Sequence, residues 1–335
     1  MHFSNRKMIF TGVLAIGLMA ALIYQIGIDT LKETLGSVNP LYVVLGFLLY
    51  VLIFVLRAIR MNIILEGKVS VKSLLNILFV HNLFNNLLPA RIGELSYVYF
   101  LKEKEGLPLN YGLSSLMIAR IFDIVGIAFL FLISFFVVGD LPELIHFSLM
   151  LVGVLLGLIF LFIIMLLYYN EKFLSFVELF TSKTRLDRIK YTKMALEKSE
   201  ETLENFKIIK SRHVILLSFI LSIAIWLIAS TMTYMFLQEM SIYLSIWKIF
   251  IASGIIVITT ILPFHGFGGF GTVESIWTAT YVALGVSTHR AIASGVGIHL
   301  IIVLYFLILG MIGLTIMKMD ETTDFDPLRP DLSLK

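Results

Sequence analysis

Apolar runs long enough to cross a bilayer recur along this chain, and two of them are interrupted in the same way. The first interruption is residues 85–94 (NNLLPARIGE), and the second is residues 262–274 (LPFHGFGGFGTVE). Both pass through Leu-Pro into a glycine-containing break and end on a glutamate. Proline breaks a helix, and broken backbone at membrane depth survives only where protein or a water-filled cavity surrounds it. The two breaks therefore predict a helical protein whose interior encloses them.

Composition narrows the class of protein. The 335 residues are 59% hydrophobic and 15% charged, with a mean hydropathy of +0.95, which indicates an all-α, polytopic membrane protein. The absence of cysteine excludes disulfides, thiolate chemistry and cysteine-based metal sites. A net charge of +3 is too small to indicate a nucleic-acid partner.

The order of apolar and polar segments predicts about six full spans and two re-entrant helical hairpins. Between the spans we expect a short polar connection at 29–39 and a cytoplasmic amphipathic connection at 170–212, while Arg57 and Arg60 anchor the end of the second span at the interface. Residues 1–320 then form one integral membrane domain, followed by a polar tail at 321–335. The expected spans are 8–26, 41–56, 111–138, 145–169, 213–237 and 290–317, and the expected hairpins are 71–101 and 245–285.

The positions of Lys and Arg predict the orientation of the chain. If the N-terminus lies inside and both breaks are hairpins, most of the 26 Lys and Arg fall on the inner side. We therefore expect a multi-pass protein of the cell membrane with both termini in the cytoplasm. Two units, 41–138 and 213–317, then share the order span, hairpin, span in opposite orientations, which is the inverted repeat of many secondary transporters.

Ionisable side chains at membrane depth indicate the candidate site. Arg91 and Glu94 are three residues apart, as are Arg120 and Asp123, so each couple can pair on one face of a helix. In one interpretation these pairs only hold the bundle together. In the other, the arginines bind an anionic headgroup, because a guanidinium matches phosphate oxygens with a fork of donors. Glu94, Asp123 and Glu274 would then balance the cations or meet an ammonium group.

The remaining candidates are uncharged or titratable groups around the two breaks. The amides of the first break are expected to bridge helices or line a wet cavity, and the free N–H groups of helices beginning after Pro89 and Gly271 suit a phosphate. The histidines match no metal-ligand spacing, so neither a metal nor another cofactor is expected, and no catalytic constellation is found. The predicted substrate-binding residues are Asn85, Asn86, Arg91, Glu94, Arg120, Asp123, His265, Gly268, Gly271 and Glu274.

Taken in order, residues 85–94, the Arg120-x-x-Asp123 pair and residues 263–274 resemble the lysylphosphatidylglycerol synthase transmembrane family, also called flippase-like domain proteins. The resemblance covers roughly residues 8–320. It implies the membrane part that moves an aminoacylated lipid between leaflets, as a stand-alone member without the soluble aminoacyltransferase domain. Other stand-alone relatives of this kind are tied to lipid-linked sugars.

The predicted function is a lipid flippase, with the bilayer as its surroundings and a lipid with an anionic or zwitterionic headgroup as its partner. We expect a transporter rather than an enzyme. Two alternatives stay open on the sequence, a membrane-embedded lipid-modifying transferase and a structural or assembly protein. The sequence also leaves open whether the chain forms a homo-oligomer.

Overall fold

The structure, a computed structural model, describes residue 24, residues 28–87, 93–139, five single positions between 147 and 158, and residues 211–260 and 270–323. The regular structure of these residues is helical. In chain order the helices are α1 (Ile28–Ser37), α2 (Pro40–Ile64), α3 (Val71–Leu87), α4 (Glu94–Glu105), α5 (Leu109–Val137), α6 (Arg212–Glu239), α7 (Ile246–Thr260), α8 (Thr272–Ala283) and α9 (Thr288–Thr323).

Four of these helices are long and apolar enough to span a membrane, namely α2, α5, α6 and α9. Large apolar side chains on their outer faces are exposed, as lipid-facing surfaces should be; Leu48 on α2 and Leu216 on α6 are examples. The chain is therefore a polytopic helical membrane protein, as predicted. The other two expected spans, the connection 170–212 and the tail lie almost wholly outside the described residues.

The expected polar connection at 29–39 is mostly helical. It forms α1, whose Leu35 side chain reaches the backbone of α9 at Gly297. One boundary is wrong. The second span was expected to end at residue 56, but α2 continues to Ile64. It can do so because Arg60 is buried and paired rather than placed at the interface.

Helices α2 and α6 pack against each other and run antiparallel. At one end the backbone N–H of Asn39 donates to Glu239 Oε2 at 3.2 Å. At the other end Arg60 Nη1 donates to Ser222 Oγ at 2.6 Å. Because the residue numbers rise on α2 as they fall on α6, the two helices run in opposite directions.

Helices α3 and α4 are an antiparallel pair on either side of the first break. At the end of the pair that lies away from the break, the Ser73 hydroxyl donates to the Glu105 carboxylate. Further in, His81 Nδ1 lies 3.3 Å from Ser96 Oγ. The second break lies between α7 and α8, which also pack against each other.

The first unit contains α2 to α5 and the second contains α6 to α9. The two helices on either side of a break, α3–α4 and α7–α8, are called the broken pairs. In each unit the first helix of the broken pair packs against the last span of the other unit. Helix α3 packs against α9, and α7 packs against α5. The α3–α9 contact is close, because a Cβ at Gly310 would lie 2.6 Å from Leu83 Cβ. Helix α2 also packs on α6, its counterpart in the other unit. The same pairs of helices are in contact when the two units are exchanged, although α5 packs far more extensively on α6 than α9 packs on α2.

Candidate functional site

A buried ion pair joins Arg60 on α2 to Asp123 on α5. Arg60 Nη1 lies 2.5 Å from Asp123 Oδ1, and Nη2 donates to Oδ2 at 3.1 Å, so the contact is bidentate. Trp226 Nε1 donates to the backbone carbonyl of Asp123 at 2.9 Å, and Ser222 accepts from the same guanidinium. Three helices thus meet at this ion pair, since both contacts from α6 are made to its two residues.

A second arginine, Arg57, lies one helical turn before Arg60. Its guanidinium carbon is 5.2 Å from the centre of the Phe54 ring. It interacts electrostatically with Asp123, Arg60 and Arg120. Among the described residues its buried Nε–H finds no acceptor.

The third arginine, Arg120 on α5, pairs with Glu94, the first residue of α4. Arg120 Nη2 donates to Glu94 Oε1 at 3.0 Å. The two side chains are 42% and 26% exposed, so this pair can be reached from outside the packed helices. The Nε atoms of Arg60 and Arg120 are buried and, like that of Arg57, have no partner in the described part of the chain.

The amides of α3 link this helix to α2. Asn82 Nδ2 donates to the Tyr50 hydroxyl at 2.9 Å, and Asn86 Nδ2 donates to Asn82 Oδ1 at 2.9 Å. The Oδ1 atom of Asn85 is buried with no hydrogen-bond partner among the described residues. Asn82 therefore bridges two helices, whereas Asn86 bonds within α3, so for Asn85 and Asn86 the choice between bridging helices and lining a wet cavity stays a prediction.

The second unit has its own acid–base pair. Glu274, in the first turn of α8, is fully buried, and its Oε1 lies 2.5 Å from His299 Nδ1 on α9. The imidazole packs at 4.7 Å from the Phe270 ring. Gly271, which precedes α8, has a φ of +78°, a conformation that favours glycine.

The two acid–base pairs occupy matching positions. Glu94 opens α4 and Glu274 lies in the first turn of α8, so each acid begins the second helix of a broken pair. Arg120 and His299 are each the twelfth residue of the following span. The paired residues are 26 apart in the first unit and 25 apart in the second.

Both broken pairs point toward the middle of α9. Leu83 packs at Gly310, and α3 then continues four residues to its end. On the other side, Glu274 meets His299 near the start of α8. These two points on α9 are eleven residues apart, which is about 16 Å along a helix. The expectation that the two breaks lie side by side around one cavity stays a prediction, because 88–92 and 261–269 are outside the described residues.

The predicted site residues have different outcomes. The structure places Glu94, Arg120, Asp123 and Glu274 in charged contacts, but with partners from other helices instead of neighbours three residues away. Arg120 pairs with Glu94 and Asp123 pairs with Arg60, so the expected local pairing of Arg120 with Asp123 is wrong. Three predicted residues, Arg91, His265 and Gly268, lie outside the described part of the chain.

Sequence reasoning missed Arg57, Arg60 and His299 as members of the site. A signal for Arg60 was available, because the apolar run resumes after it as Met-Asn-Ile-Ile. His299 stands between Ile298 and Leu300 within an apolar span. An ionisable side chain in such a run indicates a site, and Arg120 was selected on the same ground. In the part of the chain that the structure covers, no three His, Asp or Glu side chains come together to hold a metal ion.

Comparison with known proteins identifies the family. Residues 8–310 match the family described as the lysylphosphatidylglycerol synthase TM region. The chain belongs to this family. The resemblance inferred from its three motifs is thereby confirmed, and the lysylphosphatidylglycerol synthase TM family ties the chain by name to membrane lipid chemistry.

Three relatives of this family member are known at moderate identity. A UPF0104 membrane protein of Methanocaldococcus jannaschii is 25% identical over 89% of this chain and 91% of its own length. A UPF0104 membrane protein of Methanothermobacter thermautotrophicus is 30% identical over 39% of this chain and 38% of its own length. A glycosyltransferase of Haloferax volcanii, AglD, is 29% identical over 38% of this chain and 21% of its own length. No solved structure matches the chain.

Proposed function

We propose that this protein moves a membrane lipid with a phosphate-containing headgroup from one leaflet of the cell membrane to the other. The proposal rests on a multi-pass fold, a family named for a lipid, and a cluster of arginines inside the helical bundle. Aminoacylated and sugar-linked lipids can both carry such a phosphate, so both fall within the proposed substrate class.

The observation on which the proposal mainly rests is a set of arginine donors without acceptors. The Nε–H groups of Arg57, Arg60 and Arg120 are all buried, and none has a hydrogen-bond partner among the described residues. A buried donor without a partner costs about 1–3 kcal/mol. Phosphate oxygens are the acceptors that guanidinium groups fit best. A headgroup entering beside Arg57 and Arg120 would satisfy these donors.

The charge balance supports an anionic ligand. Among the described residues, Arg57, Arg60 and Arg120 gather around two carboxylates, those of Asp123 and Glu94. An excess of positive charge at membrane depth is costly unless an anion offsets it. The helix ends are weaker candidates, because α4 and α8 each hold a glutamate in the first turn that already complements the helix dipole. We therefore assign the phosphate to the guanidinium groups.

The arrangement of the two units supports movement between leaflets. We infer that the units are an inverted repeat, that both broken pairs are re-entrant hairpins, and that the two chain termini lie in the cytoplasm. The same pairs of helices are in contact when the units are exchanged, and α2 and α6, which are equivalent in the proposed repeat, run antiparallel. Units of opposite orientation can present one central site to each leaflet in turn.

A vesicle assay tests this function. The purified full chain is placed in vesicles that contain a fluorescent phospholipid, and a membrane-impermeant quencher reports how fast the inner-leaflet lipid reaches the outer leaflet. We expect the protein to accelerate this movement, and to do so less for a fluorescent lipid that lacks phosphate. Protein-free vesicles are the blank. Equal rates with and without protein, over a panel of phosphate-containing headgroups, would contradict the proposal.

The likeness to a glycosyltransferase gives a second candidate, a lipid-modifying transferase. The shared stretch spans 21% of that relative. A transferase needs a site for the donor of the transferred group as well as a lipid site. Chemical conversion of a labelled lipid-linked sugar by the purified chain, with no transfer between leaflets, would favour this candidate over the flippase.

A further inference from the structure

The two acid–base pairs differ in whether their basic side chain can lose its charge. Arg120 in the first unit stays protonated in proteins. The imidazole of His299, at the matching position of the second unit, can exist with or without a proton. The basic side chain of the second pair can therefore release a proton, whereas that of the first pair cannot.

We propose that the Glu274–His299 pair is a proton-binding site, and that its proton leaves only when the second unit opens to water. Loss of the proton from His299 to water leaves a neutral imidazole beside the Glu274 carboxylate. Lipid movement, which is the proposed function on which this coupling rests, would then be linked to movement of a proton.

Burial of the pair supports this reading. Glu274 is 0% exposed and the His299 side chain is 10% exposed. Oε1 lies 2.5 Å from Nδ1, while Oε2 is buried with no hydrogen-bond partner in the described part of the chain. With its proton the pair has no net charge. Without it, a single carboxylate charge would remain in an apolar interior, at an effective cost of several kcal/mol. The closed arrangement must therefore hold the proton.

Other titratable groups are present on the packed helices, but none of them shares this proton. Within the described residues, Glu274 and His299 make their side-chain hydrogen bond only to each other. Elsewhere in the same region, Glu239 accepts from the backbone of Asn39 and Arg290 donates to the carbonyl of Ser241. The other described titratable side chains on α8, α9 and the helices that contact them are Asp29, Lys32, Glu33, Tyr42, Tyr50, Arg57, Arg60, Lys72, His81, Arg212, His213, Tyr234, Lys248, Tyr281, His289, Tyr305 and Lys318.

The states of the two pairs suggest how protonation acts. In this structure the Glu94–Arg120 pair is partly exposed and the Glu274–His299 pair is closed. If each unit adopted the conformation that the other has here, the first pair would become closed and the second would become exposed. Low pH, by keeping the proton on the second pair, should favour the arrangement described here.

The first test needs no lipid substrate. Cysteine, which the chain otherwise lacks, replaces Ser275 beside Glu274 in the full chain in vesicles, and its rate of reaction with a neutral thiol reagent is followed against pH. The same measurement is made in proteins that also carry His299→Gln or His299→Arg. Dividing the rates by those of the His299→Gln protein corrects for the pH dependence of the thiol itself. His289→Gln, at an exposed histidine of the same helix, is the matched control.

We expect reactivity relative to His299→Gln to rise with pH, by up to about tenfold per pH unit for one proton. The His289→Gln control should behave like the natural sequence. A relative rate that does not change with pH would overturn the proton site, whatever the outcome for lipid movement.

The second test asks for coupling. Lipid movement in the vesicle assay should depend on pH in the natural sequence and lose that dependence in His299→Arg and His299→Gln. If the natural sequence moves lipid at one rate at all pH values, coupling is wrong and the flippase function stands. If no condition gives lipid movement, the flippase function fails, and with it the coupling, while the cysteine test still decides whether the pair binds a proton.

Discussion

At the scale of single residues, the described membrane interior places each of three carboxylates against a basic side chain from another helix. Asp123 meets Arg60, and the glutamates that begin α4 and α8 meet Arg120 and His299. The reason is the cost of an isolated charge in an apolar medium, which a partner with good geometry offsets. The Arg60–Asp123 contact is the most constrained, because three helices contribute to it.

The Arg60–Asp123 contact should be structural. We expect Arg60→Gln to reduce the free energy of unfolding by about 3–5 kcal/mol, because it leaves the Asp123 carboxylate buried without its partner. The double variant Arg60→Gln/Asp123→Asn should recover most of that loss. Thermal unfolding of the purified protein in detergent measures both. The exposed Arg290→Gln is a control that should change little, and a double variant no more stable than the single one would contradict the assignment.

Arg57 and Arg120 should act on the lipid. Replacement of either by lysine keeps the charge and removes the fork of donors, so we expect lipid movement in the vesicle assay to slow. A charged hydrogen bond contributes about 1.5–3 kcal/mol, so the loss should be roughly 10- to 100-fold. Lys32→Gln, at an exposed cation of α1, is the control. Normal rates in both lysine variants, with normal thermal unfolding, would exclude headgroup binding by these guanidinium groups.

Sequence reasoning found the acids of the site more readily than their partners. Glu94, Asp123 and Glu274 stood out because a carboxylate inside an apolar run needs an explanation. Spacing along one helix could suggest only local partners, whereas Asp123 and Arg60 are 63 residues apart. Contacts of this kind depend on which helices pack together. Neither the charge of a residue nor the periodic spacing of apolar residues in the sequence specifies that packing.

At the scale of elements, the α3–α9 seam holds the two units together. A Cβ at Gly310 would lie 2.6 Å from Leu83, and one at Gly313 would lie 2.9 Å from Val80. Small residues let membrane helices approach closely, and the resulting van der Waals contact drives their association. The breaks in α3–α4 and α7–α8 were predictable from proline and glycine, but the partner of each broken pair was not.

Gly310→Leu should separate this seam. We expect a loss of about 1–3 kcal/mol in the free energy of unfolding, since the added side chain overpacks the contact with Leu83. Gly36→Ala on α1, where a Cβ would meet no atom within 4 Å, is the matched control. Thermal unfolding of the two variants in detergent gives the comparison. Equal midpoints for Gly310→Leu and the natural sequence would show that the seam is looser than described.

At the scale of the whole molecule, the proposed orientation predicts from which side of the membrane each connection between helices can be labelled. Single cysteines at Lys68 and Lys102 should react with a membrane-impermeant reagent from the cytoplasmic side, because Lys68 precedes α3 and Lys102 lies in the last turn of α4. Cysteines at Tyr243 and Ser287, which flank the second broken pair, should react from the opposite side. Labelling in sealed vesicles of known orientation measures this. Reaction of Lys102→Cys from outside would mean that residues 71–105 cross the membrane instead of re-entering it.

The reciprocal packing of α3 on α9 and α7 on α5 means that neither unit completes its own core. Each unit gives one helix to its counterpart and receives one in return. This is the relationship between the subunits of a domain-swapped dimer, here joined in a single polypeptide. A half-chain containing only one unit would keep an uncovered helix face, so the two halves, produced as separate polypeptides, should be stable only when they meet.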